Sequence, residues 1–115
     1  MNDKKQRITF VVPARNEERN IRCFYEETNK IVLGLDNYIW EFIFIDDGSN
    51  DSTWQTIKEI SNLDPTVKGV RLSRNFGKEM ALTAGILEQT KFPDAVIFMD
   101  ADLQHPPAAI PKLIQ

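Results

Sequence analysis

Cysteine, glycine and long apolar stretches are all scarce in this chain of 115 residues. The single cysteine, Cys23, has no partner for an internal disulfide, which excludes a disulfide-stapled fold and fits a reducing compartment. No apolar run approaches the roughly 20 residues that a membrane-spanning helix needs. The polar N-terminus does not resemble a signal peptide. We therefore expect the chain itself to be soluble and cytoplasmic.

An excess of positive charge is also missing. Lys and Arg number 14 against 17 Asp and Glu, which gives a formal net charge of -3. Nucleic-acid binding is therefore not expected, because general nucleic-acid binders carry a basic surplus. Apolar residues make up 42% and charged residues 27% of the chain, which is ordinary for a globular domain. The length allows one domain and no second one.

Several well-known site motifs are absent from the sequence. There is no G-x-G-x-x-G for a dinucleotide and no G-x-S-x-G nucleophile elbow. The pair Gly77-Lys78 is not a P-loop, because the earlier glycine is missing and Glu79 stands where Ser or Thr is needed. One cysteine and one histidine cannot build a Cys/His zinc site.

Four short apolar runs rich in Val, Ile and Phe predict β-strands. They are residues 8–12, 40–45, 67–72 and 95–99. The first, second and fourth are nearly continuous, as in strands that are buried on both faces of a parallel sheet. Helical periodicity fills the segments between them. We predict an α/β fold in which strands and helices alternate, with a mostly parallel sheet and helices on both faces.

Local signals mark the ends of the predicted helices. Asn16, Ser52 and Asn75 are expected to cap the first three helices, with Gln55 completing a capping box and Gly34 near the end of the first helix. A fourth helix is expected around Pro107. The chain ends within that helical pattern, so the sequence predicts the front part of a longer domain. Its apolar face favours self-association, and a homo-oligomer is one expectation; that face comprises Ile110, Leu113 and Ile114.

Two carboxylates follow the fourth predicted strand. Asp100 and Asp102 stand one residue apart, and Gln104 and His105 come directly after them. Ligands of open parallel sheets bind beyond the carboxyl ends of the strands. Carboxylate and amide oxygens there can hold a hard divalent cation and leave positions open for phosphate oxygens. An acidic turn with a capping role is the alternative, and the pattern alone does not separate the two.

A second acidic pair, Asp46 and Asp47, follows the second strand and opens on the same edge. The two carboxylates can accept hydrogen bonds from a ribose or a nucleobase, although Asp is also a common turn former. Arg74 and Lys78 follow the third strand and are either surface bases or phosphate ligands. Glu17, after the first strand, suits the first turn of a helix.

Taken together, these segments resemble the family-two inverting glycosyltransferases, which have the GT-A fold. The resemblance rests on residues 11–18, 44–53 and 100–102. Residues 74–79 and 102–107 narrow it to the polyprenyl-phosphate glycosyltransferases, the group of bactoprenol glucosyltransferases and dolichyl-phosphate mannose synthases. It covers nearly the whole chain, which would then be the Rossmann-like nucleotide-binding half of a GT-A fold.

The resemblance implies the residues of the site. It assigns nucleotide-sugar binding to eight residues: Pro13, Arg15, Glu17, Ile45, Asp46, Asp47, Asp100 and Ala101. Lys78, after the third strand, is a ninth candidate because of its position at the same edge. Asp100, Asp102 and Gln104 would hold Mg²⁺ or Mn²⁺. Arg15 departs from the family, which commonly has an aromatic residue at that place. The family domain is about twice as long, so residues 1–115 would be its N-terminal, nucleotide-sugar-binding part. The catalytic base is expected beyond Gln115, and the chain alone is expected to be weakly active.

The expected reaction is metal-dependent transfer of a hexose, with inversion, from a UDP- or GDP-sugar to a polyprenyl phosphate. It would serve the synthesis of cell-envelope glycans or lipid-linked sugars at the cytoplasmic face of a membrane. A non-catalytic nucleotide-binding fragment is the main alternative. A phosphotransferase of the haloacid dehalogenase type also carries D-x-D after a strand. There the motif comes early, and Thr or Val stands where this chain has Gln104.

Overall fold

Strands and helices alternate along the chain in the computed structural model, which describes residues 5–88 and 93–101. The elements are β1 (Gln6–Ala14), α1 (Ile21–Leu33), β2 (Tyr38–Asp46), α2 (Thr53–Leu63), β3 (Val67–Arg71), α3 (Lys78–Leu87) and β4 (Ala95–Phe98). The predicted alternation is confirmed as far as the fourth strand. The expected fourth helix and its apolar face lie outside the described residues.

The four strands form one parallel sheet in the order β3-β2-β1-β4. β1 pairs with β2 over its whole length, from Gln6 opposite Tyr38 to Ala14 opposite Asp46. β4 pairs with β1, and β3 pairs with β2. All four strands therefore end at the same edge of the sheet, and the loops that follow them open side by side. The α/β class and the parallel sheet are as predicted.

Helices cover both faces of the sheet. Alternate side chains of β1 and β2, among them Phe10 and Phe44, pack in one core cluster with Phe24 of α1 and Ile57 of α2. The intervening side chains, Val11, Ile43 and Ile45, pack against Ala81 of α3 on the other face. Gly85 lets α3 approach closely, since a Cβ at that residue would lie 2.6 Å from Val11 Cγ1. The predicted helices on both faces are thus confirmed.

The fourth strand is less buried than its apolar sequence predicts. Ala95, Val96 and Ile97 are half-buried, and Phe98 is 49% exposed. β4 lies at one end of the described sheet and has β1 as its neighbour on one side. The first two strands are central, which explains why they match the prediction of burial on both faces.

Two of the predicted helix caps are displaced. Asn20 rather than Asn16 is the N-cap of α1, and Asn16 instead has a φ of 54° in the loop before it. Gly77 rather than Asn75 is the N-cap of α3, although Asn75 Oδ1 accepts a hydrogen bond from Gly77 N at 3.1 Å.

Ser52 does stand at the N-cap of α2, but its side chain makes no capping hydrogen bond, so the capping box is wrong. Asp51 Oδ1 accepts the Thr53 N–H instead, at 2.9 Å. Gly34 at the end of α1 is confirmed. Within the two described segments, no helix is long and apolar enough to cross a membrane.

Candidate functional site

The loop after β1 is joined to the loop after β2 by reciprocal hydrogen bonds. Asn16 N donates to Ser49 Oγ at 2.9 Å, and Asn50 N donates to Asn16 Oδ1 at 2.8 Å. Glu17 N donates to Thr53 Oγ1 at 2.8 Å, which ties the first loop to the start of α2. These bonds use backbone N–H groups that no regular element satisfies, so they fix the shape of the edge.

Asp51 anchors this joint between the two loops. Its carboxylate accepts hydrogen bonds from Thr53 N and from Glu18 N, at 2.9 and 3.3 Å. Partial burial acts to raise the pKa of Asp51, but the hydrogen bonds from Thr53 and Glu18 outweigh it and hold the pKa below its ordinary value. Asp51 therefore stays ionised at neutral pH and keeps its acceptor role.

The loop after β3 packs against the loop after β2 at Gly48. This glycine has a φ of +71°, and a Cβ on it would lie 2.3 Å from Asn75 N. Asp47 completes the contact, because its Oδ1 accepts the Phe76 N–H at 2.8 Å and its Oδ2 accepts the Gly77 N–H at 3.0 Å. A carboxylate has about four acceptor positions, so Asp47 retains acceptor capacity toward the cavity beside it.

A cavity of about 370 Å³ lies where these loops meet the end of β4. Its described lining comprises Pro13, Ala14, Arg15, Glu17, Asp47, Asn75, Gly77, Lys78, Asp100 and Ala101. Two of these side chains are basic and three are acidic, a formal net charge of -1. An anionic ligand would therefore bind here only weakly unless a cation came with it.

One ion pair crosses the cavity. Lys78 Nζ lies 2.8 Å from Asp100 Oδ1, and the two side chains are 60% and 23% exposed. The pair joins the first residue of α3 to the segment after β4. Asp100 is carried there by β4, and the Met99 N–H just before it donates to Val11 O at 3.2 Å.

Asp46 lies beside this cavity rather than on its wall. Its side chain is fully buried, and Oδ1 accepts the Ser49 N–H at 2.9 Å. Oδ2 has no hydrogen-bond partner among the described residues and lies 3.8 Å from Arg71 Nε. The Arg71 guanidinium stacks over the Trp54 ring, 5.7 Å from its centroid. A buried carboxylate oxygen without a hydrogen bond is costly even when an arginine lies nearby, which marks Asp46 as a position for a further donor.

A second cavity of about 640 Å³ adjoins the first and is basic. Arg15, Arg71 and Arg74 line it together with backbone and small polar side chains of residues 48–50 and 72–75. Sequence reasoning did not single out Arg71 or Asn75 as site residues. Their positions in the sequence could have indicated both, because Arg71 ends the third strand and Asn75 follows it at the ligand edge.

The structure gathers seven of the predicted site residues around the first cavity: Pro13, Arg15, Glu17, Asp47, Lys78, Asp100 and Ala101. Ile45 is not on its wall, because the alternation of β2 directs that side chain into the core against α3. Asp102 and Gln104, predicted as metal ligands, lie outside the described residues.

Of the predicted metal ligands, Asp100 is therefore the one within the described residues 5–88 and 93–101. In that part of the chain, no three His, Cys, Asp or Glu side chains lie close enough together to hold a metal ion. The Asp100 carboxylate is nevertheless suited to a cation, because it already pairs with the Lys78 ammonium at 2.8 Å. Its oxygens are also the hard donors that Mg²⁺ and Mn²⁺ prefer.

Curated relatives align over almost the whole chain. It is 44% identical over 109 residues to the bactoprenol glucosyl transferase of Shigella phage SfX. That alignment covers 95% of this chain and 35% of that protein. It is 37% identical over 109 residues to the dolichol-phosphate mannosyltransferase of Pyrococcus furiosus, covering 95% of this chain and 29% of that protein. The chain thus spans about a third of the length of these relatives.

A solved structure and a family model point to the same kind of protein as these relatives. A mannosyltransferase from Pyrobaculum calidifontis, solved with GDP-Man and Mn²⁺, superposes with a TM-score of 0.73 at 24% identity, over 86% of this chain and 28% of that one. That likeness establishes the shared fold. The model of Glycosyl transferase family 2 matches residues 9–115, nearly the entire sequence. The chain belongs to Glycosyl transferase family 2.

Proposed function

We propose that residues 1–115 bind the nucleotide-sugar donor of a glycosyltransferase that acts on a polyprenyl phosphate. The observation that carries this proposal is the cavity at the carboxyl edge of the sheet, where three loops and the end of β4 converge. Open α/β sheets bind nucleotides at this edge. The names of the two relatives, one acting on bactoprenol and one on dolichol phosphate, support a lipid phosphate as acceptor.

The basic side chains of the edge suit the diphosphate of the donor. Arg15 is exposed at the boundary of both cavities, and it forms no ion pair with any described residue. The N-terminus of α3 opens on the first cavity, and the N–H groups of a helix N-terminus favour phosphate. A guanidinium plane can also stack on a base, which gives Arg15 a role where the family commonly has an aromatic residue.

The acidic side chains suit the nucleoside. Asp46 Oδ2 is buried without a hydrogen bond beside Arg71, so a nucleobase N–H would have to displace the Arg71 side chain to supply the missing donor. Asp47 keeps free acceptor positions for a ribose hydroxyl beside its two backbone contacts. Pro13, Glu17 and Ala101 complete the proposed donor set from the wall of the first cavity. Ile45 would support that set from the core beneath it.

Asp100, Asp102 and Gln104 are the residues we propose to hold a divalent cation, Mg²⁺ or Mn²⁺. The net negative charge of the described lining supports this, because the leaving nucleoside diphosphate is itself an anion. A bound divalent cation supplies electrostatic stabilisation to that leaving group. The neighbour that was solved with GDP-Man and Mn²⁺ shares the fold and is consistent with such use.

The acceptor phosphate is proposed to attack the anomeric carbon in line, which inverts the configuration there. A phosphate is largely ionised at neutral pH because its second pKa is about 6, so it needs positioning more than deprotonation. We propose that the reaction takes place at the cytoplasmic face of a membrane, where a lipid carrier would present its phosphate. Since the chain spans about a third of its relatives, we propose that the acceptor side belongs to the part of those proteins that this chain does not cover.

Transfer can be tested in a chimera in which this chain replaces the matching third of the phage glucosyl transferase. Radiolabelled UDP-glucose, undecaprenyl phosphate and Mn²⁺ should give an organic-soluble product of inverted configuration. Asp100→Asn in the same chimera is the matched control and should abolish it. A chimera that binds UDP-glucose but labels no lipid would contradict glycosyl transfer and favour nucleotide binding alone.

A further inference from the structure

The ion pair between Lys78 and Asp100 connects the proposed phosphate and metal positions of the cavity. Its two charged atoms lie 2.8 Å apart, closer than any other cation and anion that line the cavity. Asp100 belongs to the proposed metal set, and Lys78 belongs to the proposed donor set. A single contact therefore occupies both groups in this structure.

The contacts of neighbouring residues, and not the helix dipole, account for a lysine at position 78. Lys78 is the first residue of α3, where a positive charge opposes the helix dipole. Asp47 Oδ2 holds the N–H of the preceding Gly77 at 3.0 Å, and Asp47 Oδ1 holds that of Phe76 at 2.8 Å. The second-loop carboxylate thus fixes the start of α3 so that Lys78 reaches Asp100.

We infer that Lys78 is an internal counter-ion that couples the binding of the divalent cation to the binding of the nucleotide diphosphate. A cation that arrives alone must displace the Lys78 ammonium from Asp100 and then lie beside it. When a diphosphate binds as well, its oxygens accept the Lys78 ammonium, and Asp100 becomes free for the metal. This inference rests on the proposed function, since it assigns a role to Lys78 within that same site.

The coupling is reciprocal by thermodynamic necessity. If diphosphate raises the affinity for metal by some factor, then metal raises the affinity for diphosphate by the same factor. Arg15 does not compensate for Lys78, because it forms no ion pair with Asp100 or with any other described carboxylate. Lys78 is thus the one described cation placed to compete with the metal.

Two titrations test the inference. In the first, the chain is titrated with Mn²⁺ alone and the free ion is measured by electron paramagnetic resonance. In the second, UDP and GDP are titrated by calorimetry with and without Mn²⁺. In Lys78→Met, the affinity for Mn²⁺ alone should rise about two- to fivefold, the range expected when an exposed competing ion pair is removed. The affinity for UDP or GDP in the presence of Mn²⁺ should fall about tenfold or more, because a charge-assisted contact to phosphate is lost.

Two further variants separate this role from a general change of charge. Lys78→Arg keeps a cation near Asp100 and should leave the Mn²⁺ affinity low. Lys58→Met removes the same charge from the exposed face of α2, away from both cavities, and should change neither affinity.

The failure of this inference can be told from the failure of the proposed function. If Lys78→Met binds Mn²⁺ no tighter than the parent while the parent binds UDP or GDP with Mn²⁺, the counter-ion role is overturned and the donor site stands. If the parent binds neither Mn²⁺ nor nucleotide, both proposals are overturned.

Discussion

The two faces of the sheet are built in different ways. On the face that α1 and α2 cover, large aromatic side chains stack: Phe10 lies between Trp40 and Phe42, and Phe24 meets Phe44 edge to face. On the α3 face the buried helix residues are Ala81 and Gly85, and the cluster is much smaller. The first face provides most of the apolar burial, whereas the second presents Lys78 and the loop before it to the cavity.

This contrast teaches where stability and binding are located in the molecule. The apolar area buried against α1 and α2 is the main source of favourable free energy of folding. α3 exposes large apolar side chains, including Met80 at 55% and Leu87 at 78%. Its close approach through small residues positions the start of the helix without a large core of its own. We therefore expect the α3 face, which presents Lys78 to the site, to be the less stable of the two, as is common for ligand-binding elements.

The largest effect is expected on the aromatic face. Phe24→Ala removes a fully buried ring and should lower the free energy of unfolding by about 3–5 kcal/mol, because both transfer energy and a cavity contribute. Met80→Ala shortens a large exposed side chain of α3 and should change it by less than about 0.5 kcal/mol. Urea unfolding followed by circular dichroism measures both. Equal losses would show that the two faces do not differ in this way.

The next effect is expected at the joint between the second and third loops. Gly48→Ala should cost about 2–4 kcal/mol, since the new Cβ meets the backbone of Asn75 and φ is positive. Gly34→Ala is the matched control, because its φ is -86° and a Cβ there would meet Ile31 O at an ordinary 3.5 Å. Thermal unfolding of both variants checks this. A stable Gly48→Ala variant would mean that the two loops are not packed together.

A smaller effect is expected from the carboxylate that holds the third loop. Asp47→Asn removes the charge from one of two hydrogen bonds and replaces the other acceptor with a donor, at a cost of about 1–3 kcal/mol. Hydrogen exchange at the amides of Phe76 and Gly77 should quicken in the variant. Asp36→Asn changes an exposed loop carboxylate and should leave those amides unaffected. Unchanged exchange in Asp47→Asn would remove Asp47 from the support of α3.

The smallest effect concerns the polar link between α1 and the end of α2. The Tyr25 hydroxyl donates to Asp64 Oδ2, and burial together with Asp64 raises the pKa of Tyr25 to about 12. A raised pKa means that this link contributes fully below the ordinary value of 10.0 and is lost as the pH rises toward about 12.

Tyr25→Phe tests that link. It should lower the free energy of unfolding by about 1 kcal/mol at neutral pH, where the hydrogen bond is intact. The difference between parent and variant should shrink near pH 12, as Tyr25 of the folded parent ionises. Urea midpoints across this range measure the difference. A difference that stays constant would contradict the raised pKa.

The sequence was sufficient to predict the strands and their common edge. Short apolar runs indicate the strands, and their alternation with helices makes the sheet parallel, so the strands end at one edge. It was not sufficient to separate two neighbouring acids. Adjacent residues at the end of a strand point to opposite sides, so Asp46 lies buried under Arg71 while Asp47 holds the loop before α3. The pairing of Lys78 with Asp100 was equally hidden, since it depends on how α3 and β4 meet in space.

Cap positions failed for a related reason. Asn16 is a residue type that favours the N-cap position, but its side chain accepts a hydrogen bond from Asn50 N in the next loop, and α1 begins at Ile21. A contact between loops that are distant in sequence thus prevailed over a local preference. Such contacts are concentrated at the edge where the cavity lies, so the loop conformations there are harder to predict from sequence than the core strands.

Mapping the binding of UDP and GDP by NMR, with and without Mn²⁺, tests the central claim most directly. The account predicts saturable binding that requires the metal and shifts the backbone amides of Ala14, Asp47, Gly77 and Ala101, all on the wall of the first cavity. The amides of Leu33 and Leu63, at the opposite edge of the sheet, should not shift. No binding, or shifts that avoid the carboxyl edge in the presence of Mn²⁺, would contradict the account.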